Sequence, residues 1–139
     1  MTRTLRPVDP AIGDEVASYP AFTASEVDAA LAAAHEAERA WRGTSLDERA
    51  RLLAGAARLL RERRQECATL ITREMGKPIA EARAKIDKCA LTCDFYAEQA
   101  AGFLAPEPVE TAADDSFAAY EPLGVVLAIM PWNFPFWTE

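Results

Sequence analysis

Asn133 stands in the run Pro131-Trp132-Asn133-Phe134-Pro135, fixed between two aromatic and two proline residues. A carboxamide held in one direction can donate an N–H to an oxyanion as charge develops on it. The same spacing also reads as an asparagine that satisfies the backbone of its own turn. The run directly follows an apolar stretch, Leu123-Gly-Val-Val-Leu-Ala-Ile-Met130. In open α/β sheets ligands bind just beyond the carboxyl ends of strands, which is where a strand over that stretch would place Asn133.

The other residues with chemical potential read differently. Cys67, Cys89 and Cys93 are odd in number, lie in helical patterns and lack paired metal-ligand spacing. Cys89 and Cys93, four apart, share one apolar helix face and read as reduced thiols packed as small hydrophobes. His35 sits among charged residues on a helix, a surface role, and no metal site is expected. The densest basic stretch, Arg58 to Arg64, shares its helix with Asp47, Glu48 and Glu62 and reads as a solvated face. With a net charge of −7 over 139 residues, the chain is not expected to bind nucleic acid.

These residues need elements to position them. Half of the residues are hydrophobic and 27% charged, a soluble globular balance in a chain of one domain's length. Residues 7–20 read as an extended arm around a turn at Asp9-Pro10-Ala11-Ile12-Gly13, with short β pieces beside it. Thr23-x-x-Glu26 is a capping box that opens a helix whose apolar face is Val27, Ala30, Leu31, Ala34 and Trp41, stopped by Gly43. Ser45-x-x-Glu48 is a second box. Beyond it Leu46, Ala50, Leu53 and Leu60 repeat on one side, continuing through Cys67, Leu70, Ile71 and Met75 to Gly76, with a break near Gln65. Pro78 suits the first turn of a further helix, on which Ile79, Ala82, Ile86, Cys89, Cys93, Tyr96, Ala100 and Phe103 recur at spacings of three and four. That helix runs about seven turns to Pro106 and Pro108, with Glu81 and Lys85 paired on its wet face.

After Pro108 the period changes. Segments 109–112 and 116–121 read as short strands joined at Asp114-Asp115. The stretch from Leu123 to Met130 is apolar at every position and rich in β-branched residues, the pattern of a strand buried on both faces of a parallel sheet; a buried helix segment is the competing reading. Such a strand needs neighbours that normally arrive through later crossovers, and few residues follow it. Four of the chain's twelve Phe, Trp and Tyr residues (Trp132, Phe134, Phe136, Trp137) fall in its last eight positions. A patch of that kind marks an interface or an aggregation hazard, so the sequence reads as a fold cut short.

Gly124-Val-Val-Leu-Ala-Ile-Met-Pro-Trp-Asn-Phe-Pro135 resembles the first strand of the cofactor domain in the aldehyde dehydrogenase superfamily, with its P-W-N-F-P loop. Asp9-Pro-Ala-Ile-Gly-Asp-Glu-Val16 is similar to the family's N-P-A-T-G-E opening, with Asp for Asn and Ile for Thr. Ile71-Thr-Arg-Glu-Met-Gly-Lys-Pro-Ile79 is similar to its E-x-G-K-P segment, and Tyr120-Glu-Pro-Leu-Gly124 to the strand leading into the cofactor domain. The likeness covers residues 7 to 137 in order. Within the superfamily Cys93-Asp-Phe-Tyr-Ala-Glu98, Met-Gly-Lys-Pro and Ala-Ile-Met-Pro are most like bacterial succinate-semialdehyde dehydrogenases.

The resemblance implies an α/β fold in three parts. Residues 1–108 would be the arm and helices of the cofactor domain. Residues 109–122 would be an oligomerisation-type hairpin with Asp114-Asp115 at its tip, and residues 123–139 the first strand of a Rossmann-like parallel sheet with its loop. Asn133 would donate to the oxyanion. Met130, Pro131, Trp132 and Asn133 would contact NADP or NAD, and Phe134 would wall the substrate tunnel. The partners the resemblance implies are a small aldehyde, expected to be succinate semialdehyde, and further copies of the chain.

The family's nucleophilic cysteine, general-base glutamate and ribose-binding lysine match no position here, so the chain alone is expected to be inactive. Thr138-Glu139 departs from the family's continuing helix, as a frameshift or truncation would. The alternatives are a non-catalytic interaction module and a poorly folded remnant. No signal peptide or bilayer-length apolar run is present, and a cytoplasmic location is the expectation.

Overall fold

The first two helices start where side chains satisfy free backbone donors. The Thr23 hydroxyl accepts the Glu26 N–H at 3.3 Å while the Glu26 carboxylate accepts the Thr23 N–H at 2.7 Å. That reciprocal box opens α1, Ala24–Arg42, in the computed structural model, which describes residues 3–136. Ser45 caps α2, Leu46–Glu62, by accepting the Glu48 N–H at 3.2 Å. The reciprocal half of this second box is missing, because the Glu48 carboxylate takes the Arg51 guanidinium instead, at 2.8 and 2.5 Å.

The break expected near Gln65 falls two residues earlier, at Arg63, and α3 runs Arg64–Met75. Gly76 ends α3 in the left-handed region (φ 74°), a conformation that disfavours any Cβ. Pro78 is the N-cap of α4, Ile79–Phe103, one position before the first-turn place expected of it. The helix ends at Leu104, ahead of Pro106.

The core is small and lies where α4 crosses α2 and α3. Ala57, Ala68, Ile71, Ala82, Ile86, Cys89 and Ala90 are its buried apolar residues, with Leu60, Cys67, Met75 and Ile79 packed at the margin. Four of the seven are alanines, which allow helix backbones to approach closely. Around the rim, Arg64 grips Asp87 through two N–H donors, at 2.7 and 2.6 Å, and Arg61 pairs with Asp94. The Arg64 guanidinium holds the Asp87 carboxyl below the usual carboxylate range. Arg83 donates to the Gln65 side chain at 2.8 Å, joining α4 to α3.

The expected apolar face of α1 is not buried. None of its residues is, and its backbone approaches no other element among the described residues. Val27, Leu31 and Trp41 remain exposed because no packed surface lies opposite them. The helix is tied at its C-terminal end by Arg49, which donates to the Trp41 carbonyl at 2.7 Å and lies 5.1 Å from the Trp41 ring centroid. A cation there also suits the negative end of the helix dipole.

The N-terminal arm forms as read. β1, Thr4–Leu5, pairs antiparallel with β2, Tyr19–Pro20, and Val8 bridges Glu15. Between them the Asp9 carboxylate accepts the Ala11 N–H at 2.9 Å, and the Gly13 N–H reaches the Asp9 carbonyl at 2.8 Å. The turn rests on the end of α3: a Cβ on Gly76 would lie 3.1 Å from Cγ of Pro10.

A hairpin follows α4, but its first strand falls before the expected 109–112, and only the second lies within the expected 116–121. β3, Glu107–Pro108, pairs antiparallel with β4, Phe117–Ala118, so Pro108 belongs to a strand, on an edge where its missing N–H costs nothing. Asp114 and Asp115 fall in the connecting loop, which is closed by the Val109 N–H on the Ser116 carbonyl (2.8 Å) and by a Thr111–Ser116 hydroxyl contact (2.6 Å). The Tyr120 hydroxyl donates to Glu107 at 3.0 Å across the pair.

The largest departure is at residues 123–130. A strand buried on both faces was expected, and the segment carries no ladder hydrogen bonds. Leu123, Leu127 and Ile129 are 94%, 84% and 83% exposed. A β-strand exists only through its neighbours, and no described segment supplies one, so the α/β layering with a parallel sheet is not seen. The described chain is mostly helical with two small antiparallel pairs. Trp137, the last of the terminal aromatics, lies outside the described residues, as do Thr138 and Glu139. Among the described residues no helix is long and apolar enough to cross a membrane, and no group of three His, Cys, Asp or Glu side chains is placed to hold a metal ion.

Two glycines test this account from opposite sides. Gly55, inside α2, has open space where a Cβ would go, so Gly55→Ala should stabilise the chain by about 0.5–1 kcal/mol. Gly76→Ala should destabilise it by about 1–2 kcal/mol, from the left-handed backbone alone. Ile86 has no solvent exposure, and Ile86→Ala should cost about 2–5 kcal/mol. Urea unfolding followed by circular dichroism ranks all three.

Candidate functional site

Residues 131–136 fold back against the first half of α4. The Phe134 N–H donates to the Pro131 carbonyl at 3.1 Å, closing a turn with Trp132 and Asn133 at its corners. Pro135 restricts Phe134 to extended angles, so the ring leaves the turn in a fixed direction. It ends between two cations: the Lys77 ammonium lies 4.9 Å and the Lys85 ammonium 4.4 Å from the ring centroid. Two residues on, the Phe136 carbonyl accepts the Cys89 S–H at 3.2 Å. The turn is thus clamped to α4 and to the α3–α4 connection at three points.

This clamp bears on the two readings of Asn133. The side chain is half-buried and makes no hydrogen bond among the described residues. An asparagine that served its own turn would accept a nearby backbone N–H, and this one does not. Its amide is left without a partner among the described residues. Met130, Pro131 and Trp132 lie on the exposed side of the segment, Trp132 most of all. Phe134 is half-buried beneath the lysines. The five sequence-predicted residues, Met130 to Phe134, are consecutive in the chain.

The thiols nearest this segment are not poised to act as nucleophiles. Burial pushes the Cys89 thiol above its ordinary pKa, the neighbouring Cys93 adds to the shift, and Lys85 and Lys88 only partly oppose it. Cys93 is raised as well, by burial and then by Asp94. Cys89 moreover spends its S–H on a backbone carbonyl. All three cysteines are free thiols, and Cys67 and Cys93 are half-buried.

The family model for the aldehyde dehydrogenase family matches residues 1–138. The chain belongs to the aldehyde dehydrogenase family. It is 48% identical over 130 residues to a probable succinate-semialdehyde dehydrogenase [NADP(+)] of Synechocystis sp., covering 94% of this chain and 29% of that protein. It is 44% identical to a succinate semialdehyde dehydrogenase [NAD(P)+] of Escherichia coli, over 94% of this chain and 28% of that one. Among solved structures it superposes on the succinic semialdehyde dehydrogenase of Streptococcus pyogenes in complex with NADP+ with a TM-score of 0.89. The sequence identity there is 32%, over 94% of this chain and 29% of the other. The chain therefore spans under a third of the length of the relatives it matches.

Within the aldehyde dehydrogenase fold, the positions that sequence reasoning missed are the clamp residues. The spacing predicts an ion pair of Lys85 with Glu81 on the wet face, and no such pair forms. The Lys85 ammonium turns to the Phe134 ring instead, because a half-buried aromatic offers a partner that does not compete with water. Lys77 was read only as part of the Met-Gly-Lys-Pro run. The available signal was spacing: Lys77, Lys85 and Cys89 succeed one another by about two turns and one turn along the chain that opens α4.

Burial and the S–H contact make Cys89 the least reactive thiol. In iodoacetamide labelling near neutral pH, followed by peptide mass spectrometry, Cys89 should react more slowly than Cys67 or Cys93. Because its folded pKa is raised, the protonated thiol supports the fold at neutral pH. That support should fade as pH rises above the ordinary thiol range and through the raised value. Cys89→Ser should change this alkaline loss of stability, read as the pH dependence of the urea midpoint.

Proposed function

We propose that this chain provides the oxyanion donor and the first cofactor contacts of an NADP- or NAD-dependent aldehyde dehydrogenase that oxidises succinate semialdehyde to the acid. The observation that carries this reading is the Asn133 carboxamide, half-buried in the turn at 131–136 and without a hydrogen-bond partner among the described residues. It stands in a family whose close relatives are named for that substrate. When a thiolate adds to the aldehyde carbon, the carbonyl oxygen becomes an alkoxide, and the Asn133 N–H donates to it. A donor fixed beforehand needs no reorganisation at that moment, and removing one such donor costs about 10²–10³ in rate.

Met130, Pro131 and Trp132 lie open to solvent beside Asn133, with backbone groups outside any ladder, so they fit a dinucleotide's ribose approached through main-chain atoms. The nicotinamide, when bound, accepts the hydride from the aldehyde carbon. Phe134 walls the substrate path, its ring fixed by Lys77 and Lys85. Residues 1–108 serve as the arm and helices of the cofactor domain, and residues 109–122 as the hairpin through which copies associate. Residues 123–139 serve as the first sheet strand and its loop. The exposed apolar side chains of 123–130 support that last assignment, since they supply a strand ready to be buried by neighbours.

The attacking thiolate does not come from Cys67, Cys89 or Cys93, which sit in α3 and α4 as free thiols, with burial holding Cys89 and Cys93 above their ordinary pKa. The purified chain, mixed with succinate semialdehyde and NADP, should form no reduced cofactor. The positive test is a hybrid in which residues 7–137 replace the matching segment of the Escherichia coli relative. It should oxidise succinate semialdehyde, and Asn133→Ala within it should lower kcat by about 10²–10³ with little change in KM. A hybrid that folds and binds NADP but never turns over would overturn the assignment, as would an Asn133→Ala hybrid of undiminished kcat.

A further inference from the structure

Between Glu121 and Glu139 the sequence carries no charged residue. Within that stretch Val125, Val126, Leu127, Ala128, Ile129 and Met130 all lie exposed, and their backbone makes no hydrogen bond among the described residues. Water can satisfy free N–H and C=O groups, but it cannot satisfy the apolar side chains that flank them. Native proteins blunt an open strand with charged side chains or with proline inside it. Here the prolines stand only outside the segment, at Pro122 and Pro131.

We propose that residues 124–130 pair with the same residues of further copies of this chain, forming an intermolecular β-sheet. A partner for this segment must bring a backbone edge of its own, and it must be apolar on both faces and uncharged. The short strands of this chain are already paired with each other, whereas the same segment of a second copy meets each requirement. Antiparallel pairing centred on Leu127 sets Val125 opposite Ile129 and Leu127 opposite its own counterpart, all on one face, with Val126 opposite Ala128 on the other. No like charges are brought together, and the segment has the β-branched, proline-free composition of self-pairing strands. Two strands alone are marginal in water, so further copies add to the free edges and cover more apolar surface. A bilayer fits less well, because eight residues cannot span it and unpaired backbone groups are costly in hydrocarbon. The exposed face of α1 also makes a weaker claim on a partner. Its backbone bonds close within the helix, and Glu38 and Arg42 pair along it. The association belongs to the chain's own surface and does not rest on the dehydrogenase role.

The test follows the purified chain by sedimentation velocity over a series of concentrations, with infrared amide spectra of the same samples. The sedimenting mass should rise above that of the monomer with concentration, and the intermolecular β-sheet band should rise with it. Val126→Pro, which removes a ladder donor, should raise the concentration needed for association about tenfold. Leu127→Lys, which sets like charges opposite each other, should raise it at least as far. Neither side chain belongs to the buried core, so both variants should keep the helical circular dichroism of the parent. Leu31→Lys adds the same charge to the exposed face of α1 and should leave association unchanged. A chain that stays monomeric at every concentration overturns the proposal, and so does association without a gain in the β-sheet band. Association lost in Leu31→Lys but kept in Leu127→Lys overturns it in favour of α1. Neutral phosphatidylcholine vesicles, or the intact Escherichia coli relative, should not displace the copies from one another; displacement by either overturns the choice of partner.

Discussion

Helix α4 lies against α2 and α3 along a seam of small residues, with Ala57, Ala68, Ala82 and Ala90 wholly buried and Ile71 and Ile86 filling the space between them. Close packing of this kind leaves little room for α4 to shift, since a displaced backbone would open voids that nothing else fills. The remaining features depend on it. The Arg64–Asp87 fork and the Arg61–Asp94 pair bracket the seam and fix the helices lengthwise. Both pairs are largely exposed and add register more than strength. Because α4 is fixed, so are Lys85 and Cys89, and these hold the turn at 131–136.

The turn is therefore placed by helices rather than by a sheet. A strand normally sets the direction of the loop that follows it. Here the loop takes its direction from a ring between two ammonium groups and from one thiol–carbonyl contact. Cation–ring contacts tolerate small displacements, whereas the thiol contact requires a particular carbonyl at a particular depth. Cys89 is thus a positioning residue: buried enough to stay protonated, it donates where a charged group would be too costly to desolvate. The three helical cysteines, which composition alone leaves without a task, include one that anchors the loop carrying Asn133.

The helices were legible because their signals are local. Thr23 with Glu26, Ser45 before α2, Gly76 after α3 and Pro78 before α4 each act within a few residues, and the apolar spacing of α4 picks out Ala82, Ile86 and Cys89 directly. The segment from Met130 to Phe134 stands out in the sequence through its likeness to the family's loop. What escaped was decided by partners distant in sequence. The face of α1 has helical periodicity, but periodicity says only that a face is apolar, not that a surface lies opposite it. Lys85 was spaced for Glu81 and turned to Phe134, almost fifty residues away. The second capping box lost its reciprocal half because Arg51 offered Glu48 a charged donor, and a charge-assisted fork outweighs one bond to a backbone N–H.

Residues 123–130 show the same limit most sharply. Their composition records an environment, burial on both faces, rather than a conformation that the segment can hold by itself. A backbone strand has no hydrogen bonds of its own, whereas a helix closes its bonds within the segment, and that asymmetry separates α4 from this stretch. Gly124, with φ at 93°, turns the chain at the segment's entry in a way that a residue with a Cβ would resist, and its neighbours Leu123 and Val126 are left in solvent. The relatives are more than three times as long as the matched region. In an enzyme of that length a sheet can be completed by segments far along the chain. Burying Leu127 and Ile129 there would add the driving force that the helical seam does not provide. Such burial would also stiffen the approach to Pro131, so that a turn now held from one side by α4 would be held from both. Asn133 would then be fixed by two independent supports, as its proposed role requires: the contribution of an oxyanion donor depends on being in place before the charge appears.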